Sequence, residues 1–455
     1  MNSTKDFYIA VTISDWEMIR SALLTDDGKE NAAVLLCGVS DADSERRLLV
    51  RKIMEVPPRS YVARGERHLE VSPNFYNEVI SECTVSKLTP VIIHSHPFDG
   101  EAWYSRSDDY GESRLLPVLA SLLPNATPAS LIITNTSVIG RRIVNNHFTP
   151  LQGLKIFGSQ TQIIEFDGAE EESIAPQFDR QVRAYGEVGQ RLLQKIKIGV
   201  IGAGGMGSLV VEQIARAGIQ DLVLIDADII EESNLSRIVG SALNDVGKNK
   251  ADVVGMHARS LGVRKILPLA DSAIRQEVLL KLRDRDLIFN CVDNDRSRAI
   301  INRFSYQYLI PVIDLGTRLD GREGQISAAA GRVSVIGSGI TCLRCSHHLN
   351  PERIRAESLP AEERSKLAKE GYVIGIDEPV PSVISINTVV AGLGVTAGLN
   401  LFVGLTGGTK SDGQIFDATS GTVFTTSAVH EIGCDVCDPE LGVKGLGDIQ
   451  IVSAY

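Results

Sequence analysis

The chain has 455 residues, enough for two or three domains that each bury a core. Hydrophobic residues make up 43% and charged residues 23%, an ordinary globular composition, and the net charge of −11 argues against nucleic acid as the main partner. No apolar run reaches the roughly 18 residues of a membrane span, and the N-terminus lacks a signal-peptide core. We therefore expect a cytoplasmic protein that acts at no membrane.

The first part of the chain, residues 1–167, is predicted to be an α/β domain. Its strands are expected near residues 34–36, 48–56, 91–94 and 131–134. Residues 168–177, GAEEESIAPQ, are acidic and contain a proline, which predicts a linker. Residues 178–455 form the second predicted domain.

An apolar strand of the first domain ends in an HxH pair. Alternate residues of a strand point to the same side, so His94 and His96 should face one site together. Two imidazoles suit a catalytic zinc ion, and either Asp108 or Asp109 can supply the third protein ligand. Such an ion keeps one position open for water, which needs a general base. Glu30, just ahead of an apolar strand, is the best candidate.

The HxHP sequence, the Ser-x-x-Asp after it and the upstream glutamate resemble the JAMM (MPN/JAB) metalloprotease family. That family cleaves peptide and isopeptide bonds at the C-terminus of ubiquitin-like proteins. The resemblance covers roughly residues 1–167 and implies His94, His96 and Asp108 as zinc ligands, Glu30 as general base and Ser105 as donor to the tetrahedral oxyanion. The loop between the second histidine and the serine is one residue longer than is usual in the family, which keeps Asp109 open as the ligand.

The second domain contains a glycine-rich turn between two apolar runs. The order of apolar run, glycines, helical pattern and apolar run predicts a Rossmann-type βαβ unit that holds a nucleotide. Its glycines, which would let the backbone approach phosphates, are Gly202, Gly204, Gly205 and Gly207. Asp226 ends the second run, where a carboxylate can bind ribose hydroxyls.

Residues beyond this unit distinguish two kinds of nucleotide. The glycine pattern alone would suggest a dinucleotide oxidoreductase. Arg237, Lys250 and Asp293, however, are placed to converge on a triphosphate. An adenylyl-transferring enzyme needs cations against the phosphate charge and a carboxylate for the Mg²⁺ that helps pyrophosphate leave. The predicted nucleotide is therefore ATP.

Residues 178–455 resemble the ThiF/MoeB family, the adenylating domain of ubiquitin-activating enzymes. The motifs, in family order, are FDRQVRAYGEVGQRLL, GAGGMG, LIDAD, NLSR, GKNKA and CVDNDRSR. The resemblance implies an acyl-adenylate formed on the C-terminal glycine of a ubiquitin-like protein, and a homodimer in which Arg180 reaches the ATP of the partner subunit. It implies a nucleotide and Mg²⁺ site built from Asp226, Asp228, Asn234, Arg237, Lys250 and Asp293, with Mg²⁺ on Asp293.

The cysteines indicate a second metal site. Two CxxC pairs match a structural zinc tetrahedron, and the ThiF/MoeB family carries such pairs; a redox role is the alternative. The four residues are Cys342, Cys345, Cys434 and Cys437. Cys37, Cys83 and Cys291 are expected to be structural, with Cys291 the alternative nucleophile. No cysteine lies between positions 345 and 434, so we expect the adenylate to pass directly to a nucleophile on a partner.

From the two resemblances we expect a bifunctional enzyme of a prokaryotic ubiquitin-like system, with a role in anti-phage defence. One half would activate the C-terminal glycine of the modifier, and the other would trim a precursor or remove the modifier from its target. Fusion would raise the effective concentration of one site for the product of the other. Two alternatives stay open: a sulfur-carrier activating enzyme with thiocarboxylate chemistry, and a scaffold in which one half only binds. A conjugating enzyme or a sulfur-transfer protein is the further expected partner.

Overall fold

A computed structural model describes residues 5–166, 173–322, 325–360, 362–364, 381–404 and 412–450. The chain divides into two compact units. Unit 1 comprises residues 1–157, 161–170 and 445–450, and unit 2 comprises the rest. The predicted linker, residues 168–177, lies partly outside the described residues. From the sequence, residues 445–450 are predicted to lie in the second domain, 178–455, but in the structure they belong to unit 1.

Unit 1 is built on a mixed β-sheet covered by helices. Its elements are β1 (Asp6–Thr12), α1 (Ile13–Leu23), β2 (Ala32–Asp41), β3 (Glu45–Glu55), β4 (Tyr61–Arg64), β5 (Leu69–Val71), α2 (Pro73–Ser86), β6 (Thr89–Ser95), α3 (Arg106–Leu122), β7 (Ala129–Ile133), β8 (Val138–Val144), β9 (His147–Pro150), β10 (Gly153–Phe157) and β11 (Gln162–Glu165). Among the described residues the large sheet runs in the order β11-β10-β1-β3-β2-β6-β7-β8-β9, and β4 pairs with β5 separately.

The sheet of unit 1 buries apolar side chains on both faces. Along β2, Ala33 and Leu35 pack in one cluster with Trp16 of α1, whereas Val34 and the other alternate residues pack with Phe75 of α2. Strands buried on both faces read as continuous apolar runs, which is why the sequence locates them. The alternation also decides on which face the side chains at the end of β6 emerge.

A distant segment of the chain completes this sheet. Beyond Cys37, β2 has no pairing with β6, and Val39 instead forms a parallel bridge with Gly447. Asp448 donates its N–H to the Val39 carbonyl at 2.6 Å, and its Oδ2 accepts the Asp41 N–H at 2.8 Å. A Cβ on Gly447 would lie 2.2 Å from the Val39 oxygen, so the contact requires glycine there.

Unit 2 is a Rossmann-like α/β unit. Its elements are α4 (Asp179–Lys195), β12 (Lys197–Ile201), α5 (Gly207–Ala217), β13 (Asp221–Ile225), α6 (Lys250–Ser260), β14 (Lys265–Leu269), α7 (Gln276–Leu279), β15 (Leu287–Asn290), α8 (Asp295–Tyr308), β16 (Val312–Arg322), β17 (Gln325–Ile336), α9 (Pro351–Glu357), α10 (Ile384–Val403), β18 (Gly413–Asp417) and β19 (Thr422–Thr426). Over the described residues the strand order is β14-β13-β12-β15-β16-β17-β18-β19. The first five strands are parallel and the rest antiparallel.

Helix α10 corrects one prediction from the sequence. It is 20 residues long and contains an 18-residue window with a mean hydropathy of 1.6, so by length and composition one described helix could cross a membrane, contrary to the expectation that no run is long enough. Of that window, 56% is buried inside the protein. A Cβ on Gly394 would lie 2.3 Å from Leu315, and one on Gly398 would lie 2.8 Å from Phe289. These glycines let the helix lie directly against the central sheet, as a core helix does.

Candidate active sites and metal centres

Two histidines and one aspartate converge at the end of β6 in unit 1. His94 Nε2 lies 3.2 Å from Asp108 Oδ1, and His96 Nε2 lies 3.6 Å from Asp108 Oδ2. Each of the three residues offers a ligand atom within 4.8 Å of the other two. Among the described residues, the buried His94 Nε2 has no partner in hydrogen-bonding geometry. Two imidazole nitrogens and a carboxylate oxygen facing one another fit a zinc ion with one position left open.

Glu30, just before β2, lies beside His96. Its Oε1 is 3.8 Å from His96 Nε2, and the side chain is nearly buried. The backbone on either side is held, because Glu30 donates its N–H to the Gly65 carbonyl and accepts a bond from Arg64 Nε at 3.2 Å. Burial raises the pKa of the Glu30 carboxyl, although His94 and His96 oppose the shift. This predicted base therefore stands beside the predicted metal ligands.

The structure distinguishes the two aspartates that the sequence left open. Asp108 faces the histidines, whereas Asp109 Oδ1 accepts a bond from Arg141 Nη1 at 2.6 Å. Arg141 also donates from Nε to Glu112 at 2.8 Å, and its guanidinium carbon lies 3.5 Å from the centre of the Tyr104 ring. Asp109 is thus held by a fixed arginine, and Asp108 is the candidate ligand.

Ser105 positions this ligand through helix capping. Its Oγ accepts the Asp108 N–H at 3.2 Å, and Asp108 Oδ2 accepts the Ser105 N–H at 2.7 Å, which forms a capping box at the start of α3. Burial would raise the pKa of Asp108, but the adjacent His94 and His96 outweigh burial and hold it well below its usual range. The carboxylate therefore stays charged at the pH where it would bind a cation.

The two CxxC pairs meet in unit 2. Cys342 Sγ lies 3.8 Å from Cys434 Sγ, and Cys345 Sγ lies 3.4 Å from Cys437 Sγ. All four sulfur atoms lie within 4.8 Å of one another. The distances and the mostly buried positions are compatible with a closed structural zinc site. His430, which the sequence did not single out, adds a nitrogen 3.3 Å from Cys437 Sγ.

The glycine-rich turn follows β12 as predicted, and a different physical reason favours glycine at each of its positions. Gly202 has φ +91°, a conformation that favours glycine, and a Cβ on Gly207 would lie 1.7 Å from the Gly202 oxygen. A Cβ on Gly204 would meet no described atom within 4 Å, so this position faces open space. A Cβ on Gly205 would lie 3.0 Å from Arg237 and from Asn387. In a phosphate-binding loop, glycines allow a tight turn, close packing of the helix and close approach of the backbone to the phosphates.

Asp226 stands at the end of β13 with its carboxylate turned towards the loop. Its Oδ2 accepts the Ala203 N–H at 2.6 Å and its Oδ1 accepts the Asp228 N–H at 2.8 Å. Burial raises the pKa of Asp226, against those two hydrogen bonds and the charge of Lys250. Lys250 Nζ lies 2.8 Å from Asp228 Oδ2, which draws the cation towards the same edge of the sheet.

The remaining predicted residues occupy less defined positions. Asn234 is buried in a short 3-10 turn, and Arg237 donates to the Ser233 carbonyl at 2.7 Å. Asp293 is exposed just before α8, and Arg180 is exposed in the first turn of α4. Sequence reasoning missed Asn387 of α10, which carries no motif and reaches the loop only through the fold.

Comparison with known proteins identifies unit 2. Its parallel strands, glycine turn and strand-end carboxylate define a Rossmann-like nucleotide-binding protein. The model of the ThiF family matches residues 178–433, and the chain belongs to this family. These residues therefore form a ThiF-type adenylyltransferase domain, which confirms that part of the sequence prediction.

Individual relatives match the chain at low identity. The SAMP-activating enzyme E1 of Haloferax volcanii is 27% identical over 288 residues, covering 62% of this chain and 96% of that protein. The adenylyltransferase and sulfurtransferase uba4 of Aspergillus clavatus is 28% identical, and the match covers 40% of this chain and only 39% of the relative. A crystal structure of E. coli MccB aligns with a TM-score of 0.47 and 20% identity, covering 58% of this chain and 72% of that chain.

Proposed function

We propose that unit 2 adenylates the C-terminal glycine of a ubiquitin-like protein with ATP. A carboxylate oxygen of the glycine would attack the α-phosphorus, and pyrophosphate would leave. Lys250 and Arg237 would neutralise phosphate charge, and Asp226 would hold the ribose. Mg²⁺, bound by Asp293, would assist pyrophosphate departure. The observation that carries the proposal is the ThiF match over residues 178–433, which includes the loop and these charged residues.

The test is ATP–pyrophosphate exchange that depends on a ubiquitin-like substrate. Lys250→Ala should lower the exchange rate about a hundredfold or more, because a cation at the phosphates is lost. Lys248→Ala is the matched control: this lysine is two positions away and its side chain is 53% exposed, against 14% for Lys250. Equal rates in the two variants would contradict the assignment of Lys250.

We infer that this chain hands the adenylate on without a thioester of its own. Cys291 is the cysteine nearest to the nucleotide loop in sequence, and burial raises the pKa of its thiol, which makes it a poor nucleophile. Cys37 is fully buried in the sheet of unit 1. An ATP-dependent, thiol-sensitive adduct of the substrate on this chain would contradict the proposal.

We further propose that unit 1 is a zinc-dependent peptidase that acts on the same C-terminal tail. A zinc ion held by His94, His96 and Asp108 would polarise the scissile carbonyl and activate water. Glu30 would accept a proton at Oε1 and pass it to the leaving amine. Ser105 Oγ, whose own donation to Ser107 is long at 3.5 Å, can donate to the oxyanion instead. The carrying observation is the convergence of the three ligands beside Glu30.

Metal analysis tests the peptidase proposal most directly. The wild-type protein should contain two zinc ions per chain, and His94→Ala with His96→Ala should contain one. His147→Ala, which alters an exposed histidine of β9, should keep both ions. One ion in all three proteins would favour a unit 1 that only binds the tail. Peptide cleavage that persists in Glu30→Gln would contradict the role of the base.

Sulfur-carrier activation is the second candidate. The Aspergillus relative is named an adenylyltransferase and sulfurtransferase, and no cysteine lies between Cys345 and Cys434 to form a thioester. Mass analysis of the products separates the two candidates, because a thiocarboxylate and an isopeptide conjugate differ in mass. We also propose action in the cytoplasm, a homodimer that uses Arg180, and a place in anti-phage defence.

A further inference from the structure

A further side chain of the zinc-binding type stands beside the four cysteines of unit 2. His430 lies in the loop after β19, and its Nδ1 is 3.3 Å from Cys437 Sγ. The set of described ligand atoms that all lie within 4.8 Å of one another consists of the four sulfur atoms, so the imidazole stands next to the cluster and outside it. Neutral imidazole nitrogen is a regular zinc ligand, as thiolate sulfur is. The site therefore has one more potential ligand than a tetrahedral ion uses.

The distances around the cluster fit an exchange between His430 and Cys437. Two sulfur atoms bound to one zinc ion at about 2.3 Å in a tetrahedron lie about 3.8 Å apart, and a sulfur and a nitrogen lie about 3.6 Å apart. The described sulfur pairs are separated by 3.8 Å, between Cys342 and Cys434, and by 3.4 Å, between Cys345 and Cys437. The 3.3 Å between His430 and Cys437 is close to the spacing of two ligands of one ion, so little movement is needed for one to replace the other.

Cys437 is the most accessible cysteine of the site. Cys342, Cys345 and Cys434 are buried, whereas Cys437 is partly exposed. The sulfur atoms of Cys342 and Cys345 also accept backbone N–H groups, each at 3.3 Å. Cys437 Sγ instead has the exposed His430 ring as its neighbour. Because accessible thiolates react fastest with soft electrophiles, Cys437 should be the first cysteine of the site to be modified.

The loop that carries His430 is fixed on both sides of the ring. Before it, the Ala428 N–H donates to Asp412 Oδ2 at 2.8 Å, and after it, the Gly433 N–H donates to Asp438 Oδ2 at 2.9 Å. The side chain itself is exposed, so the ring can turn while the backbone stays in place. His430 is therefore kept beside the sulfur atoms without being locked in one orientation.

We propose that His430 is a reserve zinc ligand, which takes the coordination position of Cys437 when that sulfur is alkylated. An alkyl halide forms a carbon–sulfur bond at Cys437 Sγ, the halide leaves, and the resulting thioether carries no charge to hold zinc. The neutral His430 Nδ1 then supplies the fourth ligand through its lone pair, and no net proton is released, because the sulfur was already a thiolate. Cys437 is thus a site of covalent modification at which the metal is retained. The inference rests on neither of the two proposed activities.

Zinc content of full-length variants gives the first test. All variants carry His94→Ala and His96→Ala, so that the cysteine site is the candidate zinc site left among the described residues. Cys437→Ala should then keep one zinc ion per chain, whereas Cys437→Ala with His430→Ala should keep none. The matched control is Cys434→Ala, which vacates a buried position and should also lose the ion. With cobalt(II) in place of zinc, the sulfur-to-metal absorption of Cys437→Ala should fall by about a quarter, since one of four thiolates is gone.

Alkylation tests the intact site, where no variant has to fold with a missing cysteine. In the same background, iodoacetamide should modify Cys437 before the other cysteines of the site, as peptide mass mapping would show, and a chromophoric indicator should detect little released zinc. In His430→Ala the same modification should release zinc at least about tenfold faster. His347→Ala is the matched control, because this exposed histidine beside the site lies 3.6 Å from Glu431 Oε1 and should not affect release.

Four results would overturn the inference. The first is the absence of zinc from the background protein itself, and the second is equal zinc content in Cys437→Ala and Cys434→Ala. The third is equal zinc content in Cys437→Ala with and without His430, which would mean that three sulfur atoms suffice. The fourth is equally fast zinc release on alkylation with and without His430, which would make the imidazole only a hydrogen-bonding neighbour of the sulfur. None of these measurements reads activity, so the adenylation and peptidase proposals are tested separately.

Discussion

Replacing single glycines of the nucleotide loop should separate folding from nucleotide binding. At Gly207 an added Cβ would lie 1.7 Å from the Gly202 oxygen and 2.8 Å from its carbonyl carbon. Both are backbone atoms, so the β12–α5 turn must move. Overpacking of this kind costs about 1–3 kcal/mol, and because a unit of this size loses about 2–4 °C per kcal/mol, Tm should fall by roughly 2–12 °C. Gly207→Ala should therefore lose stability and ATP binding together.

Gly204 is the matched control in the same turn. Its added Cβ would meet no described atom within 4 Å, so Tm of Gly204→Ala should stay close to that of the wild type. The methyl group would, however, stand where the loop must approach the pyrophosphate, and ATP affinity should fall about tenfold or more. Thermal unfolding and ATP binding, measured on both variants, test the reasoning. A Gly204→Ala protein that is as unstable as Gly207→Ala, or one that binds ATP normally, would refute it.

Two further predictions concern metal content and pH. Asp108→Asn should reduce zinc from two ions to one per chain, whereas Asp109→Asn should keep two because Asp109 is bonded to Arg141; the opposite pattern would reassign the ligand. Burial, helped by the nearby Arg332, lowers the pKa of His348 to about 4. The unfolded chain, with a histidine pKa near 6.5, binds this proton first, so stability should be full above about pH 6.5 and fall as pH drops towards 4. Between pH 7.5 and pH 5, the free energy of unfolding should fall by about 1 kcal/mol more in the wild type than in His348→Gln. Equal losses in the two proteins would exclude His348 as the cause.

The parts of the sites that lie within one element could be predicted from local sequence patterns. His94 and His96 face one site because they alternate at the end of a strand. The glycine turn after β12 could be located because its whole pattern lies within one βαβ unit. The choice between Asp108 and Asp109 could not be made in this way. The two are neighbours in one turn of α3, and the difference between them comes from Arg141 on strand β8.

Contacts between distant parts of the chain were beyond the sequence. Asp41 and Asp448, which share a hydrogen bond, are 407 positions apart. From the local sequence, the glycines near Asp448 indicate only a loop. In the fold they allow this segment to approach β2 closely. Helix α10 escaped the composition analysis because Asn, Thr and Gly interrupt its apolar residues, and its role as a core helix depends on the sheet behind it.

The bridge between Val39 and Gly447 has a consequence for biosynthesis. During translation the sheet of unit 1 lacks this partner until nearly all of unit 2 has left the ribosome. The open end of β2 and its unpaired backbone groups are therefore a place where a nascent chain can pair wrongly or recruit a chaperone. A fragment cut after residue 166 would carry the same exposed edge permanently, so unit 1 should be more soluble when residues 445–450 are supplied to it as a separate peptide.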